Sequence, residues 1–333
     1  MMLHPSILAL CFSSLLISLM TLYAAGYGIV ILRRWDIGSG SELQLALERR
    51  TYLISTIVSY FLAFQLVSLF LFIHTADSIC HLFVGAMCAV GTLTANSFGY
   101  PTLALKLVTF ILAGLWLILN HVDNLGYDYP LIRSKYLLLL IAAPFVLAES
   151  VLQVIYFLKL NPDIITSCCG ALFSKGDRTL ASEVVALPSA PMKLAFYGSM
   201  LATLAAGAWF RLRGTGACLF GALSGVSFPV ALAALVSFIS LYIYEMPSHH
   251  CPFCLLQAEY GYVGYPLYAL LLAATVTGVG VGLLHPFRHR ASLATALPSV
   301  QRKLAALSLL CYLLFTLLAS WKIAFSSFSL EGY

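Results

Sequence analysis

The sequence predicts an all-α integral membrane protein with about eight transmembrane helices and a short re-entrant or interfacial helix on the outer side. Hydrophobic residues make up 61% of the 333 positions and charged residues only 9%, whereas soluble domains carry about 25% charged residues. The net charge of +5 comes from short basic caps rather than a continuous basic face, so nucleic acid is not an expected partner. We therefore expect one polytopic domain over 1–333, with membrane lipid as its solvent.

Eight apolar runs are long enough to cross the membrane, because about 20 helical residues span the roughly 30 Å hydrocarbon layer. The eight runs are 6–32, 51–73, 101–121, 136–159, 192–210, 216–244, 255–284 and 304–325. A ninth run, 81–95, is shorter and rich in Gly and Ala. These features favour a re-entrant or interfacial helix over a ninth span.

The basic residues predict the orientation of these spans. They cluster in the loops after the first, third, fifth and seventh spans: Arg33, Arg34, Arg49, Arg50, Arg133, Lys135, Arg211, Arg213, Arg288, Arg290, Arg302 and Lys303. We assign these loops to the cytoplasm, which places both termini and the alternate loops outside. The start of the first span has no basic region, so a cleaved signal peptide is not expected. The bacterial cytoplasmic membrane is the expected location.

Six of the nine cysteines fall in the three predicted outer loops, two in each. They are Cys80, Cys88, Cys168, Cys169, Cys251 and Cys254. Disulfides persist in oxidising compartments such as the outside of a bacterial membrane. The topology was derived from the charged residues alone, so the grouping of these cysteines on one predicted side supports it independently. This grouping predicts that the thiols form disulfides or react.

The stretch HHCPFC (249–254) is the densest of these cysteine motifs. Pro252 suits the first turn of a helix, which predicts that Cys251 and Cys254 lie at the N-terminus of the seventh span. A helix N-terminus stabilises a thiolate, so the motif indicates a disulfide-exchange site. Two alternatives stay open. One is a structural disulfide, and the other is a Zn or Cu site formed by His249, His250, Cys251 and Cys254.

The other two cysteine pairs have unusual spacings. Cys80 and Cys88 would lie about 12 Å apart in a continuous helix, so they can bond only if the segment bends. Otherwise each has another partner. Cys168 and Cys169 are adjacent and can bond to each other only through a strained ring. We expect a redox or metal-ligating role for them.

Several polar residues lie within the predicted spans. Glu149 is a candidate functional residue, because a carboxylate at membrane depth is costly. Three glutamines are expected to form hydrogen bonds between helices: Gln65, Gln153 and Gln257. The tyrosines at 260, 262 and 265 fit an interfacial belt.

The cysteine motifs resemble those of the vitamin K epoxide reductase family. Cys80 and Cys88 form a Cys-X7-Cys in an outward loop, and Cys251 and Cys254 form a later Cys-X-X-Cys. The stretch ANSFGYPTLAL (95–105) is similar to the small-Phe-Gly-X-Pro turn of bacterial members, and CPFCLLQ resembles the bacterial disulfide-generating quinone reductases. The likeness covers two short pieces of the chain.

This resemblance implies a role for each cysteine. Cys254 would face a quinone, and Cys251 would exchange with Cys88. Cys80 would receive electrons from, or return them to, a soluble thiol protein outside the membrane. Glu259, five residues after Cys254, is a candidate proton carrier, and the candidate quinone contacts are Gln257 and Tyr260.

The leading hypothesis is therefore a membrane thiol–disulfide oxidoreductase that exchanges electrons between outer cysteine pairs and a membrane quinone. The first alternative is a membrane protein that transports or handles Cu, Zn or Hg through the outer Cys/His cluster. The second is a membrane subunit of an electron-transfer complex.

Overall fold

A computed structural model of the chain describes residues 4–161, 164–166, 189–247 and 249–328. Over these residues the chain is helical and contains no strand. Seven helical segments are long and apolar enough to cross a membrane: Pro5–Arg34, Glu42–Leu82, Gly99–Asp123, Ile132–Leu158, Ala217–Tyr244, Gly264–Phe287 and Ala296–Ala324. The prediction of an all-α membrane protein is thereby confirmed.

The described α-helices are numbered in chain order: α1 (Pro5–Arg34), α2 (Glu42–Ser78), α3 (Ala89–Thr94), α4 (Gly99–Asp123), α5 (Ile132–Leu158), α6 (Ser189–Arg213), α7 (Ala217–Ala234), α8 (Ser240–Tyr244), α9 (Gly264–Leu284) and α10 (Ala296–Ala324). A π-helical turn at Leu235–Ile239 joins α7 to α8. Contacts divide the chain into two compact units, and the divisions fall within α2, α3 and α10. The expectation of a single domain stays a prediction.

Unit 1 takes the described residues of Met1–Ala76, Leu93–Pro162 and Pro286–Val300. In it α5 packs against both α1 and α4. The core is apolar and aromatic, with Val58, Trp116 and Tyr136 almost completely buried.

A buried ion pair lies among the helices of unit 1. Lys106 on α4 is 2.6 Å from Glu149 on α5, and both side chains are almost completely buried. The Lys106 ammonium also donates to the Ser68 hydroxyl at 2.8 Å. The second carboxylate oxygen accepts from Thr109 at 2.7 Å and from the Gln65 amide. These bonds link α2, α4 and α5, and they compensate the desolvation of the two charges.

A second buried pair changes one part of the sequence interpretation. Lys135, assigned from the sequence to a basic loop, lies in α5 and is 2.6 Å from Asp123. Its ammonium also donates to the Asn120 side chain at 3.1 Å. Its charge is therefore balanced inside unit 1 rather than displayed in a loop.

Unit 2 takes the described residues of Asp77–Thr92, Asp163–His285 and Gln301–Tyr333. Its close helix contacts, α6 with α7 and α7 with α9, use small residues. A Cβ added at Gly221 would come within 2.8 Å of the Gly282 backbone, and one added at Gly278 would collide with Ser224. Small residues allow membrane helices to approach closely, because packing rather than hydrophobicity drives their association in lipid.

Three sequence expectations need correction or refinement. The run 81–95 is not one helix: a 3₁₀ turn at Cys80–Leu82 is followed by a loop and the six-residue α3. The seventh predicted span (255–284) begins as an α-helix only at Gly264. The run 192–210 forms α6, whose 25 residues are long enough to span but which is not among the seven apolar segments. Apolar runs therefore predict the presence of a helix more reliably than they predict its first residue.

We predict that Lys106→Met destabilises the protein by about 3–5 kcal/mol, because Glu149 is left as a buried and uncompensated charge. The double variant Lys106→Met/Glu149→Met should recover most of that loss, since it removes both charges. Thermal unfolding of the detergent-purified chain measures both effects. Lys303→Met, at an exposed position of α10, is the matched control. Equal unfolding temperatures for the single and double variants would show that the two charges are not coupled.

Candidate functional site

Three cysteine sulfurs meet inside unit 2. The Sγ atoms of Cys88, Cys251 and Cys254 all lie within 4.8 Å of one another, and those of Cys88 and Cys251 are 3.6 Å apart. This is a contact distance, longer than the roughly 2.05 Å of a disulfide bond. Cys88 and Cys251 are completely buried and Cys254 is 4% exposed. One cysteine of the Cys-X7-Cys motif and both cysteines of the Cys-X-X-Cys motif therefore converge on one buried thiol cluster.

A hydrogen-bond network holds the Cys88 loop beside the Cys251–Cys254 turn. The Asp77 carboxylate accepts the backbone N–H of Ala89 at 3.1 Å, which fixes the residue after Cys88. The Gln257 amide donates to the Met87 carbonyl at 2.7 Å, which fixes the residue before it. Gln257 also lies 3.5 Å from Asp77. Gln257 thus links the two cysteine segments directly.

The backbone of the Cys-Pro-Phe-Cys turn is fixed by two tyrosines from separate helices. Tyr244, the last residue of α8, donates its hydroxyl to the Cys251 carbonyl at 2.5 Å. Tyr268, in α9, donates to the Pro252 carbonyl at 2.6 Å. The next two carbonyls accept backbone N–H groups from the residues that follow. All four carbonyls of the turn are therefore hydrogen-bonded, and the positions of both sulfurs are well defined.

The predicted position of Cys251 and Cys254 at the N-terminus of a long helix is wrong. Cys254 begins a three-residue 3₁₀ turn, and α9 starts only at Gly264. Between them the chain turns through two residues with left-handed backbone angles, Gly261 (φ 66°) and Tyr262 (φ 55°). Neither cysteine is therefore part of α9, whose first residue, Gly264, packs against Leu255 of the 3₁₀ turn.

The two histidines of the motif have other contacts. His250 places Nδ1 3.0 Å from the Val236 carbonyl oxygen, and the His249 ring packs edge-on against Tyr244 with centroids 4.5 Å apart. Among the described residues, the group close enough to share one ion consists of Cys88, Cys251 and Cys254. Two of the four predicted metal ligands therefore converge, together with Cys88.

Of the other three cysteines predicted to lie in outer loops, the structure describes one, Cys80. Cys80 is partly buried and lies in a 3₁₀ turn that leads into extended backbone at Phe83. The segment therefore bends, which removes the helical spacing that would separate Cys80 from Cys88. Cys168 and Cys169 lie outside the described residues. Thr166, just before them in the chain, donates its backbone N–H to Val84 of the Cys88 loop at 2.9 Å.

The candidate quinone and proton residues lie just after the Cys-X-X-Cys turn. Glu259 is exposed and Tyr260 is partly buried. The Tyr260 ring packs against Tyr244 with centroids 4.5 Å apart. The roles of Glu259, Tyr260 and Gln257 toward a quinone stay predictions, and Gln257 gains the structural role described above.

Sequence reasoning missed the three residues that position the sulfurs: Asp77, Tyr244 and Tyr268. Tyr244 and Tyr268 lie in apolar runs where an interfacial belt explains a tyrosine equally well. A weak signal was present for Asp77, because it is an acidic residue four positions after the predicted span 51–73 and three positions before Cys80.

No protein-family model matches the chain, and neither the curated proteins nor the solved structures give a match. The interpretation of the thiol cluster therefore depends on its own geometry and chemistry.

We predict that Gln257→Leu speeds alkylation of Cys88 in the reduced protein. Loss of the bond to Met87 should cost about 0.5–1.5 kcal/mol, which corresponds to a roughly two- to twelvefold faster opening of the loop. Mass spectrometry of the Cys88 peptide after timed maleimide treatment measures the rate. Gln153→Leu removes another amide that donates to a backbone carbonyl, in unit 1, and is the control. Equal Cys88 rates in the wild type and both variants would show that Gln257 does not hold the loop.

Proposed function

We propose that this protein is a membrane thiol–disulfide oxidoreductase that passes electrons between outer thiols and a membrane quinone. The observation that supports this proposal most directly is the 3.6 Å contact between the sulfurs of Cys88 and Cys251, with Cys254 within 4.8 Å of both. Exchange needs an attacking thiolate, a sulfur that is attacked and a sulfur that leaves. Three thiols in mutual contact provide this set.

The exchange step is balanced within the cluster. In the oxidised site, Cys251 and Cys254 share a disulfide. The Cys88 thiolate attacks Cys251 Sγ, the Cys88–Cys251 bond forms, and Cys254 leaves as a thiolate. No electrons are gained or lost overall, because one disulfide replaces another. The hydrogen-bonded backbone of the turn keeps the three sulfurs in place while the bonds change.

Two further steps complete the cycle. The Cys80 thiolate attacks Cys88, which forms the Cys80–Cys88 disulfide and releases Cys251 as a thiolate. The Cys251/Cys254 dithiol then gives two electrons and two protons to the quinone, which becomes a quinol, and the disulfide returns. Cys80–Cys88 is reduced in turn by a soluble thiol protein. Glu259, which is exposed, is the proposed proton carrier, and Gln257 and Tyr260 are the proposed quinone contacts.

Burial of the cluster favours a protein-controlled exchange. Cys88 and Cys251 are completely shielded from solvent, so small soluble oxidants have little access to them. The thiols then exchange electrons with specific protein partners and are protected from nonspecific oxidation. The resemblance to the vitamin K epoxide reductase family implies exchange between the same two cysteines, Cys88 and Cys251, which adds support to the proposal.

We place the cluster on the outer side of a bacterial cytoplasmic membrane. The excess of Lys and Arg in alternate loops supports this orientation. The side-by-side packing of α6 on α7, with a 2.7 Å hydrogen bond between Thr203 and Ser227, supports α6 as an eighth crossing. Eight crossings place both termini outside, on the side of the cysteines.

We predict that Cys254→Ser abolishes quinone-dependent reoxidation, because the dithiol that reduces the quinone is lost. The remaining cysteines should then accumulate as free thiols in the presence of a thiol reductant, since the quinone no longer withdraws their electrons. A disulfide map by mass spectrometry and an anaerobic assay with a soluble quinone measure the two effects.

Cys218→Ser is the matched control, because Cys218 is exposed near the start of α7 and should not affect either measurement. A Cys254→Ser protein that still passes electrons to the quinone at the wild-type rate would refute the role proposed for Cys254.

A further inference from the structure

We infer that the reduced forms of Cys88, Cys251 and Cys254 make a three-sulfur site for monovalent copper. The inference rests on the thiol cluster of the proposed function, but it does not depend on the exchange reaction. It moves the metal-binding hypothesis away from the His249/His250 pair and onto a cysteine that is distant in the sequence.

The spacing of the sulfurs fits a trigonal ion. A metal–sulfur bond of about 2.3 Å in a planar three-coordinate site places the sulfurs about 4.0 Å apart. The observed sulfurs lie between the 3.6 Å contact of Cys88 with Cys251 and the 4.8 Å limit that includes all three. Shifts of less than 1 Å therefore bring the three sulfurs to bonding distance around one ion.

The number and type of ligands favour Cu(I) over zinc. Structural zinc is almost always four-coordinate, and the described cluster supplies three ligands. Its three cysteines are 0–4% exposed, which leaves little room for water as a fourth ligand. Soft thiolates select soft cations such as Cu(I). The two histidines contact Val236 and Tyr244 rather than joining the sulfurs.

Copper binding and disulfide formation exclude each other. The metal binds thiolates, so the thiols release protons to water on binding and no electron is transferred. A disulfide between Cys251 and Cys254, or between Cys88 and Cys251, consumes two of the three ligands. Bound Cu(I) would therefore hold the cluster reduced and block exchange. Three thiols become three thiolate ligands, so we expect release of about three protons per ion.

The test uses the full-length, detergent-purified chain, reduced and kept anaerobic. Cu(I) is delivered as its bathocuproine disulfonate complex, and transfer to the protein is followed by loss of the complex's colour. We expect one ion per chain, and X-ray absorption should show sulfur ligands alone. Changes beyond the metal ligands already cost about 10–100-fold in affinity, so Cys88→Ser should weaken binding by at least that much.

Two variants keep the experiment specific: Cys218→Ser and His250→Ala. Both should bind Cu(I) as the wild type does. Wild-type binding no tighter than that of Cys88→Ser would overturn the inference, as would nitrogen ligands in the absorption spectrum or loss of binding in either of these two variants.

A separate measurement distinguishes this inference from the proposed function. Quinone-dependent reoxidation is assayed on the metal-free chain. A chain that binds Cu(I) but is not reoxidised would retain the copper site and refute the oxidoreductase. A chain that is reoxidised but does not bind Cu(I) would support the oxidoreductase and refute the copper site.

Discussion

Hydrocarbon is the constraint on which the structure depends. Water is not available inside the membrane to satisfy polar groups, so each such group must bond within the protein. The ion pair of Lys106 with Glu149 and that of Lys135 with Asp123 follow this rule in unit 1. The same rule applies to a loop in unit 2 that lies at the ends of apolar helices. Every carbonyl of its Cys-Pro-Phe-Cys turn accepts a hydrogen bond. A turn fixed in this way can hold three sulfurs in contact.

Both proposals depend on the closeness of the three sulfurs. No long helix begins at Cys251 or Cys254, so neither sulfur belongs to the first turn of a long helix. The Cys88 and Cys251 sulfurs instead lie 3.6 Å apart. The same arrangement accounts for both proposals, because sulfurs that are close enough to exchange a bond are also close enough to share a soft ion. The oxidation state of the thiols decides which of the two can occur.

Some of this could be predicted from the sequence. Composition and charge gave the membrane class and the helical runs, and the motif resemblance singled out Cys88 and Cys251 before any distance was known. Lys106 escaped notice, because one lysine inside a long apolar run does not reveal its partner. The start of α9 was misplaced, since hydropathy cannot distinguish a 3₁₀ turn from an α-helix. The exposed side chain of Cys218 could not be predicted either, because an apolar run does not show which face of a helix packs against the protein.

The most direct test is to cross-link the central pair. In a chain that keeps only Cys88 and Cys251, with every other cysteine changed to serine, mild oxidation with diamide should convert nearly all molecules to an intramolecular disulfide. A companion chain that keeps only Cys218 and Cys251 should not cross-link, because the long α7–α8 segment separates those residues. If both thiols of the Cys88/Cys251 chain stay open to alkylation, or bond only between molecules, the two loops do not meet and no shared site exists.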